Sequence, residues 1–322
     1  MPSLPHTKVS RVDWINAALQ ALTDQPIDQL KVLVLAVIVG IGSTLFDEFR
    51  AGFGGAQPSI EDAMAVALAS LWAVPGDQPG WRGVFHDFAF DNWTVDLRLE
   101  AKTDGAPALR FDRLRRMEFT TPAGRSAANR AGLCEAGLVT RPDSKRIALL
   151  FRPEKRLTNS MVAFSDDAGL TWTDPRELPG ALTGHRHESV NLPDGRTLVF
   201  MRDYSPLNKG NPSHGDWVAW MGTFADLEAG REGQYRLRLR RNYGNSTNSN
   251  IGDCGYSGVE LLPNGQVLAL TYGHWILAPG ATHPNHPDGR GMPPFILQAK
   301  LDPKQLDAWA KDPAYLIKPT AR

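Results

Sequence analysis

The spacing of apolar and polar residues changes once along the 322-residue chain. Up to about residue 120 the apolar positions fall at helical intervals. Trp14, Ile15, Ala18, Leu19 and Leu22 predict one helix face. Ser59, with Asp62 three residues on, opens a second helix that runs through Met64, Val66, Leu68 and Leu71 and stops at Pro75-Gly76. Trp81–Glu100 and Pro107–Met117 are weaker helical candidates. Beyond them the pattern turns to short β-rich runs bounded by turn residues: Arg146–Arg152, Met161–Ser165, Thr197–Met201, Trp217–Met221, Gln234–Arg240, Gln266–Tyr272 and Phe295–Leu301. Many short strands with regular turns mean a sandwich, a barrel or a propeller.

An internal repeat selects the propeller. Arg141-Pro142-Asp143-Ser144, Leu192-Pro193-Asp194-Gly195 and Leu262-Pro263-Asn264-Gly265 are three versions of one hairpin turn. Each is followed by an apolar strand, ending at Arg152, Arg202 and Tyr272. The turn prolines are 51 and 70 residues apart, which suits blades with variable insertions. Seven residues before each proline stand Glu135, Arg186 and Tyr256. Equivalent positions on successive blades face one axis, so these three side chains are predicted to converge.

Ser165-Asp166-Asp167-Ala168-Gly169-Leu170-Thr171-Trp172 fits S-x-D-x-G-x-T-W. In this motif the second half of the chain resembles the sialidase (neuraminidase) family of Asp-box, or BNR-repeat, β-propellers. In that family the box is a turn on the outer rim, so Ser165, Asp167, Gly169 and Trp172 are expected to be structural. The resemblance covers about residues 132–302. It extends to Gly184-His185-Arg186-His187, Arg231-Glu232-Gly233-Gln234-Tyr235 and Asp253-Cys254-Gly255-Tyr256, which match a bacterial subgroup. It implies that Tyr256 is the nucleophile, that Glu135 is its carboxylate partner, and that arginines bind substrate. Arg152, Arg186 and Arg202 are the candidates for that binding.

These residue types suit the chemistry. A sialic acid carries a carboxylate on its anomeric carbon, which would repel a carboxylate nucleophile. A tyrosine is neutral until a nearby Glu takes its proton. Arginines hold a carboxylate through paired, charge-assisted hydrogen bonds. The family's early arginine in an Arg-Ile-Pro context and the acidic residue serving as general acid have no match here. A complete propeller of this type needs roughly 300 residues, against about 190 in this segment, so roughly two blades are missing or replaced.

Residues 9–50 resemble the start of a TetR-type transcriptional regulator, through Arg11–Leu19, Leu35-Ala36, Gly40 and Phe46–Arg50. Phe85–Ala89 and Arg113–Met117 are similar to that family's ligand-binding helices. Charge argues against DNA binding. Residues 1–50 hold Lys8, Arg11, Lys31 and Arg50 against five acidic side chains, and Ile41–Glu48 has no basic residue. The whole chain has 35 basic and 35 acidic side chains, which does not favour nucleic acid or an anionic membrane as partner.

Val32–Phe46 is uncharged for 15 residues, short of the ~20 that a membrane span needs. Asp13, Asp24 and Asp28 interrupt any secretory h-region, which gives a cytoplasmic expectation. Cys134 and Cys254 read as two buried thiols. His185-x-His187 and His283-x-x-His286 lack a third ligand at zinc-like spacing, so they read as loop histidines and no metal or cofactor is expected.

The fold class expected is therefore α+β multidomain: a degenerate TetR-like helical domain over 1–120, then a partial sialidase-type propeller over 130–322. The function expected is that of a sialidase-like exo-glycoside hydrolase acting on terminal sialic acid or a related acidic sugar, or of its descendant with reduced activity. The alternatives are a non-catalytic carbohydrate-binding propeller and a TetR-like regulator fused to it.

Overall fold

The computed structural model describes residues 70–74, 80–87, 89–101, 107–142, 144–204, 213–242, 254–275 and 295–316, without the side chains of 99–112 and 295. Two compact units divide the chain, Met1–Val66 with Arg98–Arg110 and Ala67–Leu97 with Phe111–Arg322. The second is the one that positions the site.

The described residues form four antiparallel sheets, the blades of a propeller. The first is β1 (Ser70–Ala73), β2 (Trp81–His86), β3 (Asn92–Ala101) and β4 (Pro107–Arg116). Helix α1 (Pro122–Ala131) leads into the second: β5 (Leu133–Thr140), β6 (Ile147–Pro153), β7 (Met161–Ser165) and β8 (Arg176–Glu177). The third holds β9 (Gly184–Asn191), β10 (Thr197–Asp203), β11 (Trp217–Gly222) and β12 (Tyr235–Arg240), with α2 (Phe224–Ala229) between its outer strands. The fourth has β13 (Gly255–Leu261), β14 (Val267–Gly273) and β15 (Phe295–Leu301), followed by α3 (Pro303–Trp309). Within each sheet the strands pair in chain order, and β5, β9 and β13 lie side by side as the first strands of their blades.

Blade stacking explains why β6, β7, β10 and β11, the inner strands of the middle blades, read as nearly unbroken apolar runs. Ala148 and Leu150 of β6 face Val199, Met201, Val218 and Trp220 of the third blade. Ile147, Leu149 and Phe151, on the other face of β6, pack on Trp72, Val84 and Trp172. Leu198 and Phe200 of β10 likewise turn toward Val267 and Ala269 of the fourth blade. A sheet covered on both faces has no polar side to alternate with. The three repeat turns close the β5–β6, β9–β10 and β13–β14 hairpins, each with one backbone bond of the same kind: Arg141 to Arg146, Leu192 to Arg196 and Leu262 to Gln266.

The expected α+β class with a helical N-terminal domain is overturned over the residues described. Trp81–Glu100 and Pro107–Met117 form β2, β3 and β4, and Leu71, placed at the end of a helix, lies in β1. The reason lies in the period. Trp93, Val95, Leu97 and Leu99 alternate with Thr94, Asp96 and Arg98 at the two-residue repeat of a strand. Strand pairing fixes that register, Val95 opposite Gly83 and Leu97 opposite Trp81. Phe85–Ala89 and Arg113–Met117, matched to regulator helices, fall in and just after β2 and β4. The helices expected within 1–69, and the helix-turn-helix resemblance with them, lie outside the described residues. Among the described residues, no helix is long and apolar enough to cross a membrane.

Candidate active site

Glu135, Arg186 and Tyr256 occupy one position on three blades, and the backbone there is the same in each. All three are non-glycine residues with left-handed φ: 45° at Glu135, 61° at Arg186 and 49° at Tyr256. Each sits where the register slips by one residue. On β5, Cys134 pairs with Arg152 and Gly137 with Leu150, so Glu135 and Ala136 share Phe151 as their one opposite residue. The same bulge puts Arg186 and His187 opposite Met201, and Tyr256 and Ser257 opposite Thr271. A bulge re-aims a side chain that would otherwise lie on the sheet face. Left-handed backbone at a non-glycine residue costs ~1–2 kcal/mol, so this conformation persists only where the surrounding blades enforce it.

The bulges bring the three side chains together. The Tyr256 hydroxyl donates to Glu135 Oε1 across 2.5 Å. Arg152 Nη1 donates to the same oxygen at 2.7 Å, and its Nη2 pairs with Glu154. Among the described residues Glu135 Oε2 accepts no hydrogen bond, and it faces Arg186 Nε at 3.8 Å. The Arg186 guanidinium lies 4.0 Å above the centre of the Tyr256 ring. Its Nη1 donates to the Cys254 carbonyl at 2.9 Å and to the Tyr272 hydroxyl at 2.5 Å. Tyr256 and Tyr272 stack with ring centres 6.4 Å apart and planes 18° apart. Gly255, at φ 115°, leaves room for this seat: a Cβ there would meet Arg186 Cδ at 2.9 Å.

Charge and burial set the protonation states. Burial pushes the Glu135 carboxyl up, but the Arg152 and Arg186 charges, with hydrogen bonds from Arg152 and Tyr256, hold it at about 2. Burial and then the Glu135 charge push the Tyr256 phenol well above its ordinary value, against the pull of Arg186. The resting pair is a neutral phenol on an ionised carboxylate, the state from which a tyrosine nucleophile with a carboxylate base begins.

The other expected site residues fall as follows. Arg152 reaches the pair directly. Arg202 is buried one step away, its Nη2 donating to His185 Nδ1 at 2.8 Å. Burial, then the charges of Arg152, Arg202 and Arg186, keep His185 neutral, and it stacks on Tyr204 at 4.1 Å. His185 and His187 therefore lie on strand β9 and not in a loop. Ser165–Trp172 forms a turn that contacts the first blade, where the Ala168 carbonyl accepts from Trp72 Nε1 at 3.0 Å and Arg82 Nη1 at 2.8 Å. Asp167 accepts from the Leu170 and Thr171 amides, both at 2.9 Å, and from the Ser165 and Thr171 hydroxyls. The Ser165 hydroxyl accepts from the Gly169 amide at 2.7 Å, and Trp172 is buried between the first two blades.

Tyr272 was missed, although a signal for it existed. It ends the strand after the third repeat turn, as Arg152 and Arg202 end those after the first and second. Those three positions pair with Gly255, Cys134 and His185, directly before the bulges.

No family model matches this chain, and no curated protein does. Solved structures do. A protein of unknown function from Dyadobacter fermentans is 18% identical over 71% of this chain and 52% of its own, with a TM-score of 0.41. A xylan β-1,4-xylosidase from Bacillus halodurans is 12% identical over 80% and 42%, with a TM-score of 0.39. The catalytic domain of an α-L-arabinofuranosidase from Coprinopsis cinerea is 9% identical over 65% and 67%, with a TM-score of 0.31. The chain thus spans about half the length of the first two. Likeness this distant assigns no role to any residue.

Proposed function

We propose that this site takes a terminal sialic acid or a related acidic sugar, and that the chain acts on it as a sialidase-like exo-glycoside hydrolase of reduced turnover. The observation that carries the reading is the hydrogen bond from Tyr256 to an ionised Glu135 at 2.5 Å, set among arginines. Arg152, Arg186 and Arg202 supply the positive potential that receives the substrate carboxylate. Tyr256 Oη attacks the anomeric carbon as its proton passes to Glu135 Oε1. The glycosidic C–O bond breaks, and its electron pair leaves with the aglycone oxygen. Water then attacks the anomeric carbon and displaces the Tyr256 oxygen, which regains its proton from Glu135, while the proton lost by the water passes to solvent and balances the released aglycone anion. The phenol removes the like-charge repulsion that a carboxylate nucleophile would meet.

The sequence holds no match for the family's acid-bearing blade, so the aglycone departs without a proton from a matched residue. That favours acidic, aryl leaving groups. It also supports a second reading, a carbohydrate-binding propeller with the same contacts and no turnover. Assay with a fluorogenic aryl sialoside separates them. Slow release that Tyr256→Phe abolishes supports the hydrolase. Binding of free sialic acid with no release at all leaves the binding propeller, and neither binding nor release overturns both.

A further inference from the structure

Arg186 is held in an orientation that a simple carboxylate clamp does not need. Its Nη1 is fixed by the Cys254 carbonyl and the Tyr272 hydroxyl, and its guanidinium carbon lies over the Tyr256 ring. Gly255 provides the space, and the bulge at Arg186 provides the direction. A cation over the face of a phenol ring interacts more strongly as that ring gains negative charge.

We propose that Tyr272 is a positioning residue that holds the Arg186 guanidinium over the Tyr256 ring, so that its charge stabilises the phenolate as Glu135 accepts the proton. This rests on the tyrosine–carboxylate reading of the site. It adds that Arg186 serves the nucleophile before it serves the substrate. The Tyr272 ring also stacks on Tyr256 directly, but Tyr272→Phe keeps that ring, so the part its hydroxyl plays through Arg186 is read apart from the stacking.

The test reads the phenol itself, with no sugar present. The full chain has six tyrosines, and 3-fluorotyrosine incorporation gives each a fluorine signal whose shift follows phenol ionisation. Tyr256→Phe identifies the signal of position 256. Tyr272→Phe, which removes one hydroxyl, is expected to raise the ionisation midpoint of Tyr256 by roughly half a unit to one unit. In an Arg186→Gln background the same Tyr272→Phe change is expected to move that midpoint no further. No movement in Tyr272→Phe, or equal movement in both backgrounds, overturns the proposal. Failure to cleave or bind a sialoside counts against the functional reading alone, because the titration uses none.

Discussion

Arg152 and Tyr256 donate to the same oxygen of Glu135, at 2.7 and 2.5 Å, although one comes from β6 of blade two and the other from β13 of blade four. The carboxylate is thus the joint between blades and also the group whose charge the site depends on.

That joint predicts an acid sensitivity. Glu135 is held at about 2 in the fold, against an unfolded value near 4.3. A carboxyl depressed by folding contributes stability that is complete above the unfolded value and is lost as pH falls through the folded one. Wild-type protein is expected to lose ~2 kcal/mol between about pH 4.5 and pH 2 through this group. Chemical denaturation across that range checks it, with Glu135→Gln lacking this part of the slope.

Glu188 predicts the opposite sign. It lies two residues past Arg186 on β9, the step that Gly137 and Gly258 occupy on β5 and β13. Burial raises its carboxyl to about 8. The folded protein therefore keeps a proton that the unfolded chain releases, and stability falls as pH rises from the ordinary carboxylate range to about 8. Glu188→Gln is expected to be more stable than wild type at pH 8.5 by roughly 2–4 kcal/mol. At pH 4 the difference should vanish. Denaturant midpoints at the two pH values check this, and equal differences at both would contradict it.

How much of this was legible in the sequence varied with the local pattern. Seven strands, from Arg146–Arg152 to Phe295–Leu301, were read within about two residues, because they are apolar runs or alternate apolar with polar residues between turn residues. The first strands of the blades were harder. β9, Gly184–Asn191, carries two histidines, an arginine and a glutamate, and nothing apolar but Val190. The backward count from the repeat turns and the Gly184–His187 resemblance reached Arg186, while Tyr272 stands nine residues after its turn proline, as Arg202 stands after its own. The first blade was misread because Trp93–Leu99 alternates over too short a run to displace a helical expectation carried over from the residues before it. The bulges were not legible, since left-handed backbone at Glu135, Arg186 and Tyr256 has no glycine to announce it.

Asp167 is expected to act on stability and not on chemistry. Its carboxylate accepts four hydrogen bonds inside one turn, and that turn seats Trp172 in the core between blades one and two. Asp167→Ala is expected to cost ~1–3 kcal/mol. Thermal melting and sialic acid binding, measured on the same sample, check it: the melting temperature should drop while the affinity of the folded protein stays the same.

The central claim is that the Glu135, Arg186 and Tyr256 bulges build one site for an acidic sugar. Calorimetric titration with free sialic acid tests it most directly. Wild type is expected to bind, Tyr256→Phe to keep most of that affinity because the ring remains, and Arg186→Ala to lose roughly 30-fold or more, the cost of removing one partner of a buried charge contact. No binding by folded wild-type protein, or equal affinity in Arg186→Ala, would contradict it.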